Sequence, residues 1–382
     1  MVSYYHPGFK AGGPIRAITS MVEHLGDLFD FWILTADRDY QDKSPYQNVP
    51  INQWISSGDA RIYYVDVRFL SLHSLKALIN QANPDIIYLN SLFSLLANKY
   101  LLARRTGIIP QIPTIAAPRG IFSPGALQLK SLKKRIYLQT AQRSGLFNGL
   151  TWQASSTLEE KDIRAALPGE KIFIAPDMAL AEQGDNLESR HPVGKVAGHV
   201  RFIFLSRITP VKNLHFALSL LGSIDGRIQY DLYGPLQDRS YWQSCCEIID
   251  ALPPNVQVNY HGSVPSEKVG NLFSNSHFLL LPTLGENFGH VIFEALQAGC
   301  PPMISDRTPW NDLEHAGAGW VIPLEGKKKW VETVQYCIKM DQYDFQKYSI
   351  NARKYVERWS SSTNILEANK NMFLTVASKL EN

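Results

Sequence analysis

Short β-rich segments alternate with helical segments along most of this 382-residue chain. A repeated order of strand, helix and strand is typical of βαβ units, in which parallel strands form a sheet and helices cover its faces. Ligand sites in such folds lie at the carboxyl ends of the strands. The alternation therefore predicts an α/β protein of doubly wound, Rossmann-like domains, with its functional residues in the loops that follow strands.

The alternation occurs in two series, which predict two domains. The first series has predicted strands at Phe29–Leu34, Arg61–Val67, Asp85–Leu89, Thr114–Ala117, Leu150–Ala154 and Lys171–Ala175. Its predicted helices are Leu72–Gln81, Ser94–Arg105, Ala126–Arg143 and Leu158–Ala166. The second series has predicted strands at Arg201–Leu205, Gln229–Tyr233, Val256–Tyr260, His277–Leu281, Pro302–Ile304 and Trp320–Ile322, followed by helical segments at 327–340, 344–358 and 363–379.

Residues 177–200 separate the two series, and they are polar, contain glycine and show no apolar period, which is typical of a linker. We expect an N-terminal domain over residues 1–180, a C-terminal domain over residues 200–358, and a last helix within residues 359–382 that returns to the N-terminal domain. Two such domains are expected to face each other across a cleft, which suits a nucleotide and a second substrate.

Charge and cysteine content argue against several classes of protein. The 38 basic and 35 acidic residues leave a net charge of +3, so a nucleic acid bound through whole-molecule charge is not expected as a partner. Four cysteines without CxxC spacing argue against a zinc module or a disulfide scaffold. No apolar run reaches the ~20 residues that cross a bilayer, and the first residues do not have the order of a signal peptide. The expected location is the cytosol.

The most informative segment is residues 277–310. An apolar strand is followed by a glycine-containing loop and a helix, so Glu286 is predicted in the loop and Glu294 about two turns into the helix. Three backbone N–H groups open this helix, those of Phe288, Gly289 and His290. They are expected to point outward from the strand ends, where an anion or a hydroxyl-rich ligand fits.

Two cations follow a strand of the second series. Arg207 comes just after Arg201–Leu205, and Lys212 lies near the start of the next helix. Two positive charges at the mouth of one sheet can neutralise a diphosphate and stabilise it as a leaving group. Either residue alone would be interpreted as a solvated surface cation, but the segment with Glu286 and Glu294 favours a phosphate site.

Together these motifs resemble the retaining glycosyltransferases of family 4, also called group 1 glycosyltransferases, which have the GT-B fold of two facing Rossmann-like domains. The resemblance rests on the E-x7-E pair Glu286 and Glu294, the R-x4-K pair Arg207 and Lys212, and the short motifs Gly12–Pro14, Tyr233–Pro235 and Thr308–Trp310. It covers nearly the whole chain. An E-x7-E pair alone occurs by chance in many helices, whereas its position between strand, glycine loop and helix is specific.

The resemblance implies a role for each of the charged residues. Arg207 and Lys212 would hold the donor diphosphate. Glu286 would meet the hydroxyls of the donor sugar, and Glu294 would bind the hydroxyls of the nucleotide ribose. Of these, Arg207, Lys212 and Glu286 are expected to take part in catalysis.

The resemblance also implies contacts from the main chain. The amides of Phe288 and Gly289 would face the donor. The turn at Gly12 and Gly13 would let the backbone approach the phosphates closely, because a side chain there would block the approach. Main-chain groups around Gly262–Val264 would contact the base.

The implied activity is transfer of a sugar from a uridine or guanosine diphosphate sugar to a hydroxyl of a growing glycan. The implied setting is assembly of a bacterial cell-surface polysaccharide, such as lipopolysaccharide or capsule, without a metal or another cofactor. Two alternatives stay open. One is another GT-B enzyme, such as a nucleotide-sugar epimerase or a phosphorylase, and the other is a catalytically weak nucleotide-sugar-binding protein.

The sequence departs from the family pattern at Arg119. Many relatives have a histidine near the anomeric carbon of the donor at the corresponding position, in a run that reads TIAAPRGIF here. An arginine stays cationic and cannot act as a general base, but it can hold a phosphate or orient a hydroxyl. Arg119 is therefore predicted to take part in catalysis, and the alternative is a loop cation that pairs with a neighbouring carboxylate.

A second departure is the start of the chain. Relatives have a full apolar strand before the glycine turn, whereas only Met1 and Val2 precede the Tyr/Pro/Gly turn here. A missing central strand would leave backbone groups of its neighbours unpaired. We therefore expect an upstream start codon and a truncated first strand.

Asp37, Arg38 and Asp39 form a D-x-D motif, which binds a divalent metal in another glycosyltransferase fold. The rest of that fold is not indicated here, so we interpret the motif as part of a local turn.

The segment between Asp85 and Glu159 contains nine basic residues and no acidic one. Its predicted helix at 126–143 mixes basic and apolar residues, as an amphipathic helix on an anionic membrane does. We therefore predict peripheral contact with the inner membrane face, where the protein could reach a lipid-linked glycan acceptor. The alternative is a solvated basic helix without a partner.

Overall fold

In the computed structural model, strands and helices alternate along the chain, and the predicted α/β class is confirmed. The structure describes residues 1–123, 131–179, 193–361 and 364–378. The chain divides into two units: unit 1 comprises Met1–Ala179 with the last helix, and unit 2 lies within Leu180–Ser362. Residues 126–130 of the predicted basic helix and residues 180–192 of the predicted linker lie outside the described residues.

Unit 1 contains two sheets. Its strands are β1 (Phe31–Ala36), β2 (Trp54–Ser57), β3 (Ala60–Val65), β4 (Ile87–Asn90), β5 (Thr114–Ala117), β6 (Leu150–Ala154) and β7 (Lys171–Ile174). The orders are β1-β3-β2 and β4-β5-β6-β7. Neighbours pair in parallel except β2 and β3, which are antiparallel.

The first two residues of the chain lie between the two sheets. The N–H of Val2 donates to the carbonyl oxygen of Leu34 in β1 at 3.0 Å, and the carbonyl oxygen of Met1 accepts from the N–H of Asn90 in β4 at 3.0 Å. The amino group of Met1 donates to the carbonyl oxygen of Tyr88 at 2.7 Å. Met1 and Val2 thus pair with both neighbouring strands at the position of the expected first strand.

The sequence pattern did not predict β2. This strand has four residues, of which Ser56 and Ser57 are exposed, so it has too few buried apolar positions for a clear alternation. A turn at Gly58, with φ of 55°, connects it to β3. The other strands of unit 1 begin and end within two residues of the predicted positions.

Serine side chains begin three of the helices in unit 1. The helices are α1 (Gly13–Leu25), α2 (Leu72–Ala82), α3 (Leu95–Arg105), α4 (Ser131–Arg143) and α5 (Thr157–Ala166). Ser71, Ser94 and Ser156 each accept a hydrogen bond from a backbone N–H in the first turn of α2, α3 and α5, respectively. Such caps satisfy N–H groups that have no partner within the helix.

Unit 2 contains one parallel sheet of six strands. They are β8 (His199–Leu205), β9 (Arg227–Tyr233), β10 (Val256–Tyr260), β11 (Phe278–Leu281), β12 (Pro302–Ser305) and β13 (Trp320–Ile322), in the order β10-β9-β8-β11-β12-β13. The chain runs outward from β8 to β10, returns to β11 beside β8, and then runs outward to β13. This reversal beside β8 is the switch point at which open α/β sheets bind ligands.

Helices follow the strands of unit 2 in the order that the sequence predicts. They are α6 (Leu214–Leu221), α7 (Arg239–Asp250), α8 (Ser266–Ser274), α9 (His290–Gln297), α10 (Lys327–Lys339) and α11 (Gln342–Ser361), and a short 3-10 turn, Pro210–Lys212, precedes α6. No helix of the described ranges combines the length and the apolar character needed to cross a membrane.

The last helix, α12 (Asn364–Ala377), packs within unit 1. Met372, Phe373 and Val376 lie in the same buried cluster as Ile18 and Met21 of α1. The side-chain amide of buried Asn369 donates to the carbonyl oxygen of Pro176 at 2.8 Å. Apolar burial and this hydrogen bond together fix α12 on the unit that contains the N-terminus.

His277 gives unit 2 a testable dependence on pH. Its ring is fully buried, Nδ1 accepts from the N–H of Arg201 at 2.8 Å, and Nε2 lies 3.1 Å from the carbonyl oxygen of Gly194. Burial lowers the pKa of His277 from 6.5 to about 4. Because the unfolded state binds the proton more tightly, the stabilisation is complete above pH 6.5 and is lost as the pH falls towards 4.

We expect the free energy of unfolding to fall by up to about 3 kcal/mol between pH 6.5 and 4 because of His277. Denaturant unfolding at several pH values measures this change. His277→Asn should flatten the curve in this window, and His315→Asn, at an exposed position, should leave it unchanged. A wild-type curve that is flat between these pH values would contradict the expectation.

Candidate functional site

The switch point of unit 2 brings two predicted site residues together. Arg207 and Lys212 follow β8, and Glu286 follows β11, so all three lie at the carboxyl edge of adjacent parallel strands. Nζ of Lys212 lies 2.6 Å from Oε1 of Glu286. The two residues are 74 positions apart in the sequence, and only the pairing of β8 with β11 makes this contact possible.

The loops that carry Lys212 and Glu286 are hydrogen-bonded to each other. The N–H of Leu284 donates to the carbonyl oxygen of Val211 at 2.7 Å. The side-chain amide of Asn213 donates to the carbonyl oxygen of Pro282 at 2.9 Å, and Asn213 has the left-handed φ of 56° that ends the 3-10 turn. These contacts fix both loops, so the ion pair is held by the main chain on either side.

The Lys212–Glu286 pair is mostly shielded from solvent, with 13% and 9% of the side chains exposed. At such positions each charge stabilises the other against the cost of leaving water. The ammonium group has three N–H donors and attracts phosphate oxygens, whereas the carboxylate accepts hydrogen bonds from hydroxyls. The pair can therefore bind a ligand that carries both phosphate and hydroxyl groups.

Arg207 adds a second positive charge, after that of Lys212, at the carboxyl edge of the sheet. Its Nη1 donates to Oε1 of Gln237 at 3.0 Å, a partner that the sequence analysis missed. Gln237 lies two residues after the Tyr233–Pro235 motif at the end of β9. This position is the one feature of the sequence that could have indicated the contact with Arg207. The contact leaves Arg207 half-buried and oriented from a second strand end.

The glycine of the Tyr233–Pro235 motif allows the ends of β8 and β9 to approach closely. Gly234 has φ of 135°, and a Cβ there would lie 1.9 Å from the carbonyl oxygen of Ser206. The N–H of Gly234 donates to the carbonyl oxygen of Gly262 at 2.7 Å. Gly234 thereby links the backbone before Arg207 to the loop after β10.

The loop after β10 contains Gly262 and Val264, the predicted base contacts. Gly262 has φ of 76°, and a Cβ there would have no atom within 4 Å, so the backbone is open on that side. Val264 is half-buried. Both lie at the carboxyl edge of the sheet, and the base contact stays a prediction.

Helix α9 follows its N-cap residue Gly289, which has φ of 81°. Its first turn is held by aromatic packing, since Nε1 of Trp310 donates to the carbonyl oxygen of Phe288 at 2.5 Å and the two rings lie 5.3 Å apart. These contacts hold Phe288 in the loop between β11 and α9, and the donor contact of the Phe288 and Gly289 amides stays a prediction. Glu294 lies on the same helix and is half-buried, and its ribose contact stays a prediction.

In unit 1 the predicted glycine turn begins α1. Gly12 has φ of 68°, a conformation that favours glycine, and a Cβ there would have no atom within 4 Å. Gly13 is the first residue of the helix. The side-chain amide of Asn90 donates to the carbonyl oxygen of Pro14 at 3.1 Å, which ties the turn to β4. The phosphate contact of Gly12 and Gly13 stays a prediction.

Arg119 lies in a buried network of unit 1. Its guanidinium forms an ion pair with Asp177, and 8% and 4% of the two side chains are exposed. Nε donates to Oδ1 of Asn90 at 2.6 Å, and Nη2 donates to the hydroxyl of Tyr88 at 2.8 Å. Burial would lower the pKa of Arg119, but its interactions with Asp177, Tyr88 and Glu159 outweigh this effect and raise the pKa.

This network corresponds to the alternative in which Arg119 pairs with a neighbouring carboxylate. Each guanidinium nitrogen donates to a partner within unit 1. The carboxylate of Glu159 accepts from the N–H of Gly120 at 2.7 Å and holds the loop behind Arg119. Burial raises the pKa of Glu159. A catalytic role of Arg119 stays a prediction, and Asp177 and Glu159 are partners that the sequence analysis missed.

The D-x-D motif forms a local turn, with both carboxylates bound by donors of the protein. Oδ1 of Asp37 lies 2.8 Å from Nε of Arg38, and Asp39 accepts from backbone N–H groups. Within the described ranges, no group of three or more His, Cys, Asp and Glu side chains is placed to hold a metal ion.

Gly234→Ala tests the close contact beside Arg207. Because a Cβ would overlap the backbone of Ser206, we expect the free energy of unfolding to fall by more than about 3 kcal/mol. Gly198→Ala is the matched control: its φ is 86° with no atom within 4 Å of a Cβ, so about 1 kcal/mol should be lost. Equal losses in chemical denaturation of the two variants would contradict the steric explanation.

Residues 185–355 match the family model described as glycosyl transferases group 1. The match covers all six strands of the sheet in unit 2. It also includes the predicted site residues Arg207, Lys212, Glu286 and Glu294. A search of curated proteins finds no match.

Solved structures similar to this chain extend over nearly its full length. Sucrose-phosphate synthase from Thermosynechococcus elongatus has a TM-score of 0.72 at 16% identity, over 96% of this chain and 94% of that chain. HepE of Anabaena, in complex with UDP and glucose, has a TM-score of 0.67 at 16% identity, over 99% of both chains. WaaG, a glycosyltransferase involved in lipopolysaccharide biosynthesis, has a TM-score of 0.62 at 13% identity, over 97% of both chains.

Proposed function

We propose that this chain, which has the GT-B fold and matches the group 1 glycosyltransferase model at residues 185–355, is a retaining glycosyltransferase of family 4. It transfers a sugar from a nucleoside diphosphate donor to a hydroxyl of a growing glycan. The observation that carries the proposal is the 2.6 Å contact between Lys212 and Glu286 at the switch point of the group 1 domain. A cation and a carboxylate there match the two chemical parts of a nucleotide sugar, its diphosphate and its sugar hydroxyls.

In the proposed reaction, the acceptor hydroxyl oxygen forms a bond to the anomeric carbon on the face that the diphosphate leaves. The bond between the anomeric carbon and the β-phosphate oxygen breaks, and that phosphate takes the acceptor proton. Arg207 and Lys212 stabilise the negative charge that develops on the leaving diphosphate. Because two fixed cations supply this stabilisation, we infer that transfer requires no metal.

The donor is proposed to bind along the carboxyl edge of the sheet in unit 2. Glu286 accepts hydrogen bonds from the sugar hydroxyls, Glu294 from the ribose, and the amides of Phe288 and Gly289 face the donor. The fixed start of α9 supports this arrangement, because an N–H group held in place needs no reordering when a ligand binds. A uridine diphosphate sugar is the first donor to test, since the similar HepE was solved with UDP and glucose.

Unit 1 is proposed to receive the acceptor glycan. It contains a cavity of about 530 Å³ whose lining includes His6, Tyr46, Gln47, Asn48 and Tyr64. Besides Val49, Ile55 and two prolines, its lining contains aromatic, amide and hydroxyl side chains and no Asp, Glu, Lys or Arg, a chemistry that suits an uncharged sugar. The proposed setting is assembly of a cell-surface polysaccharide in the cytosol, at the inner face of the membrane.

Lys212→Ala and Glu286→Ala test the proposed chemistry. Each change removes a group that binds the donor or stabilises the leaving diphosphate, so we expect acceptor-dependent release of nucleoside diphosphate to fall by about 100-fold or more. A coupled assay measures this rate, with UDP-sugars and GDP-sugars tested as donors. The anomeric proton coupling of the product, read by NMR, tests retention.

The matched control is the exposed pair Lys329 and Glu314, whose Nζ and Oε1 atoms lie 3.0 Å apart in the same unit. Lys329→Ala and Glu314→Ala should retain the wild-type rate, since this pair joins α10 to the segment before β13 and not the loops after β8 and β11. Wild-type rates in Lys212→Ala and Glu286→Ala would overturn the proposal. Loss of activity in a chelator, restored by a divalent metal, would overturn the inference that no metal is needed.

Membrane contact is proposed through the basic helix predicted at 126–143, of which α4 is the described part. Lys134 lies 6.0 Å from the ring of Phe93, and Ile136 is 54% exposed. A basic and an exposed apolar side chain on one helix support binding to an anionic surface.

Flotation with vesicles tests this contact. Recovery should be higher with anionic than with neutral lipid, and charge reversal of Lys133, Lys134 and Arg135 should abolish the difference. Reversal of Lys327, Lys328 and Lys339, exposed on α10, changes the net charge equally and should have no such effect. Equal recovery with both lipids would overturn the membrane proposal and leave the transferase proposal intact.

A further inference from the structure

Asp39 holds the loop that leads to the Gly12 turn. Its side chain belongs to the buried set, with 4% of the residue exposed. Oδ2 accepts from the N–H of Phe9 at 2.8 Å and from the N–H of Lys10 at 3.0 Å. Oδ1 accepts from the N–H of Tyr40 at 2.7 Å. Both carboxylate oxygens are therefore occupied by main-chain donors.

The hydrogen bonds continue from Asp39 to the glycine turn. The N–H of Phe9 binds Asp39, and the carbonyl oxygen of the same residue accepts from the N–H of Gly12 at 3.0 Å. The backbone of Phe9 therefore connects Asp39 to Gly12, because its N–H binds the first and its carbonyl oxygen binds the second. A shift of the Phe9 backbone would move the turn as well.

Two tyrosines hold the earlier part of the same loop. The hydroxyl of Tyr64 donates to the carbonyl oxygen of His6. The hydroxyl of Tyr46 lies 3.4 Å from the carbonyl oxygen of Tyr5. A Cβ at Gly8 would lie 2.3 Å from the Tyr46 hydroxyl and 2.9 Å from the carboxyl carbon of Asp39, so Gly8 permits the close approach of both side chains.

We propose that Asp39 is a positioning residue for donor binding, which acts by fixing the conformation of the Gly12 turn. This inference rests on the proposed function, in which the backbone at Gly12 and Gly13 contacts the donor diphosphate. A turn fixed before the donor arrives loses less conformational freedom on binding, and affinity rises accordingly. Asp39 acts here as a hydrogen-bond acceptor, because its oxygens face main-chain N–H groups.

Three variants separate this role from the charge of Asp39. Asp39→Ala removes the acceptor, so KM for the nucleotide sugar and Kd for UDP or GDP should rise by about tenfold or more, with kcat changed less. Asp39→Asn keeps one oxygen, which can accept from both Phe9 and Lys10, but turns an NH2 group towards the N–H of Tyr40, so both constants should rise less than in Asp39→Ala. Asp42→Asn is the matched control, since Asp42 binds the side chain of Lys10 at 2.5 Å and no backbone group of the loop.

Steady-state kinetics, calorimetric titration with UDP and GDP, and thermal unfolding should be measured on the full chain. Equal losses in Asp42→Asn and Asp39→Ala would show that neutralising a carboxylate beside the loop is enough, and would overturn the positioning role. A lower Tm of Asp39→Ala with unchanged KM and Kd would show that Asp39 only stabilises the fold, and would overturn the inference. If Asp39→Ala does not fold, Tyr64→Phe, which removes one hydroxyl from the same loop, should still raise both constants, and wild-type constants would contradict the inference.

The outcome for the wild-type protein separates the two proposals. A wild-type chain that neither binds nucleotides nor transfers sugar overturns the proposed function and this inference with it. A wild-type chain that does both, beside an Asp39→Ala variant with the same KM and Kd, overturns the inference alone.

Discussion

The return of the chain from β10 at the edge of the sheet to β11 beside β8 determines where chemistry can take place in unit 2. Helices that follow neighbouring strands on opposite sides of a reversal diverge, and the loops at their starts can form a ligand site. Lys212 and Glu286 lie in two such loops, and hydrogen bonds between the loops fix their contact. The close approach at Gly234 then sets the position of the backbone before Arg207.

The shielded ion pairs Arg119–Asp177 and Lys212–Glu286 differ in which hydrogen-bonding groups their partners leave available to a ligand. Arg119 is bound by Asp177, Asn90 and Tyr88, so its donors are directed into the core of unit 1. Lys212 has one carboxylate partner, Glu286, at the carboxyl edge of a sheet. Shielding a charge from water is costly unless partners compensate for it. A saturated network stabilises the fold, whereas a pair at a strand edge can exchange a protein partner for a ligand.

Much of the fold could be predicted because buried parallel strands consist of apolar runs bounded by glycine, proline and polar residues. The six strands of unit 2 begin and end within two residues of the predicted positions. Strand β2 was missed because its exposed serines break the apolar pattern. At the site, spacing predicted that Lys212 and Glu286 act together, but not that they touch. Gln237 lies just after a motif and Asp177 lies in none, so the sequence did not identify them as the partners of Arg207 and Arg119.

The local elements follow from the sequence alone: the apolar runs that become strands, the serines that begin helices, and the glycines at Gly12 and Gly289, where φ is positive. Which side chains meet depends instead on the packing of the folded chain. Asp39 reaches Phe9 across 30 positions, Arg119 reaches Asp177 across 58, and Lys212 reaches Glu286 across 74. Local preferences act over a few residues, whereas these contacts depend on the order of strands in a sheet, which is fixed by packing of the whole unit.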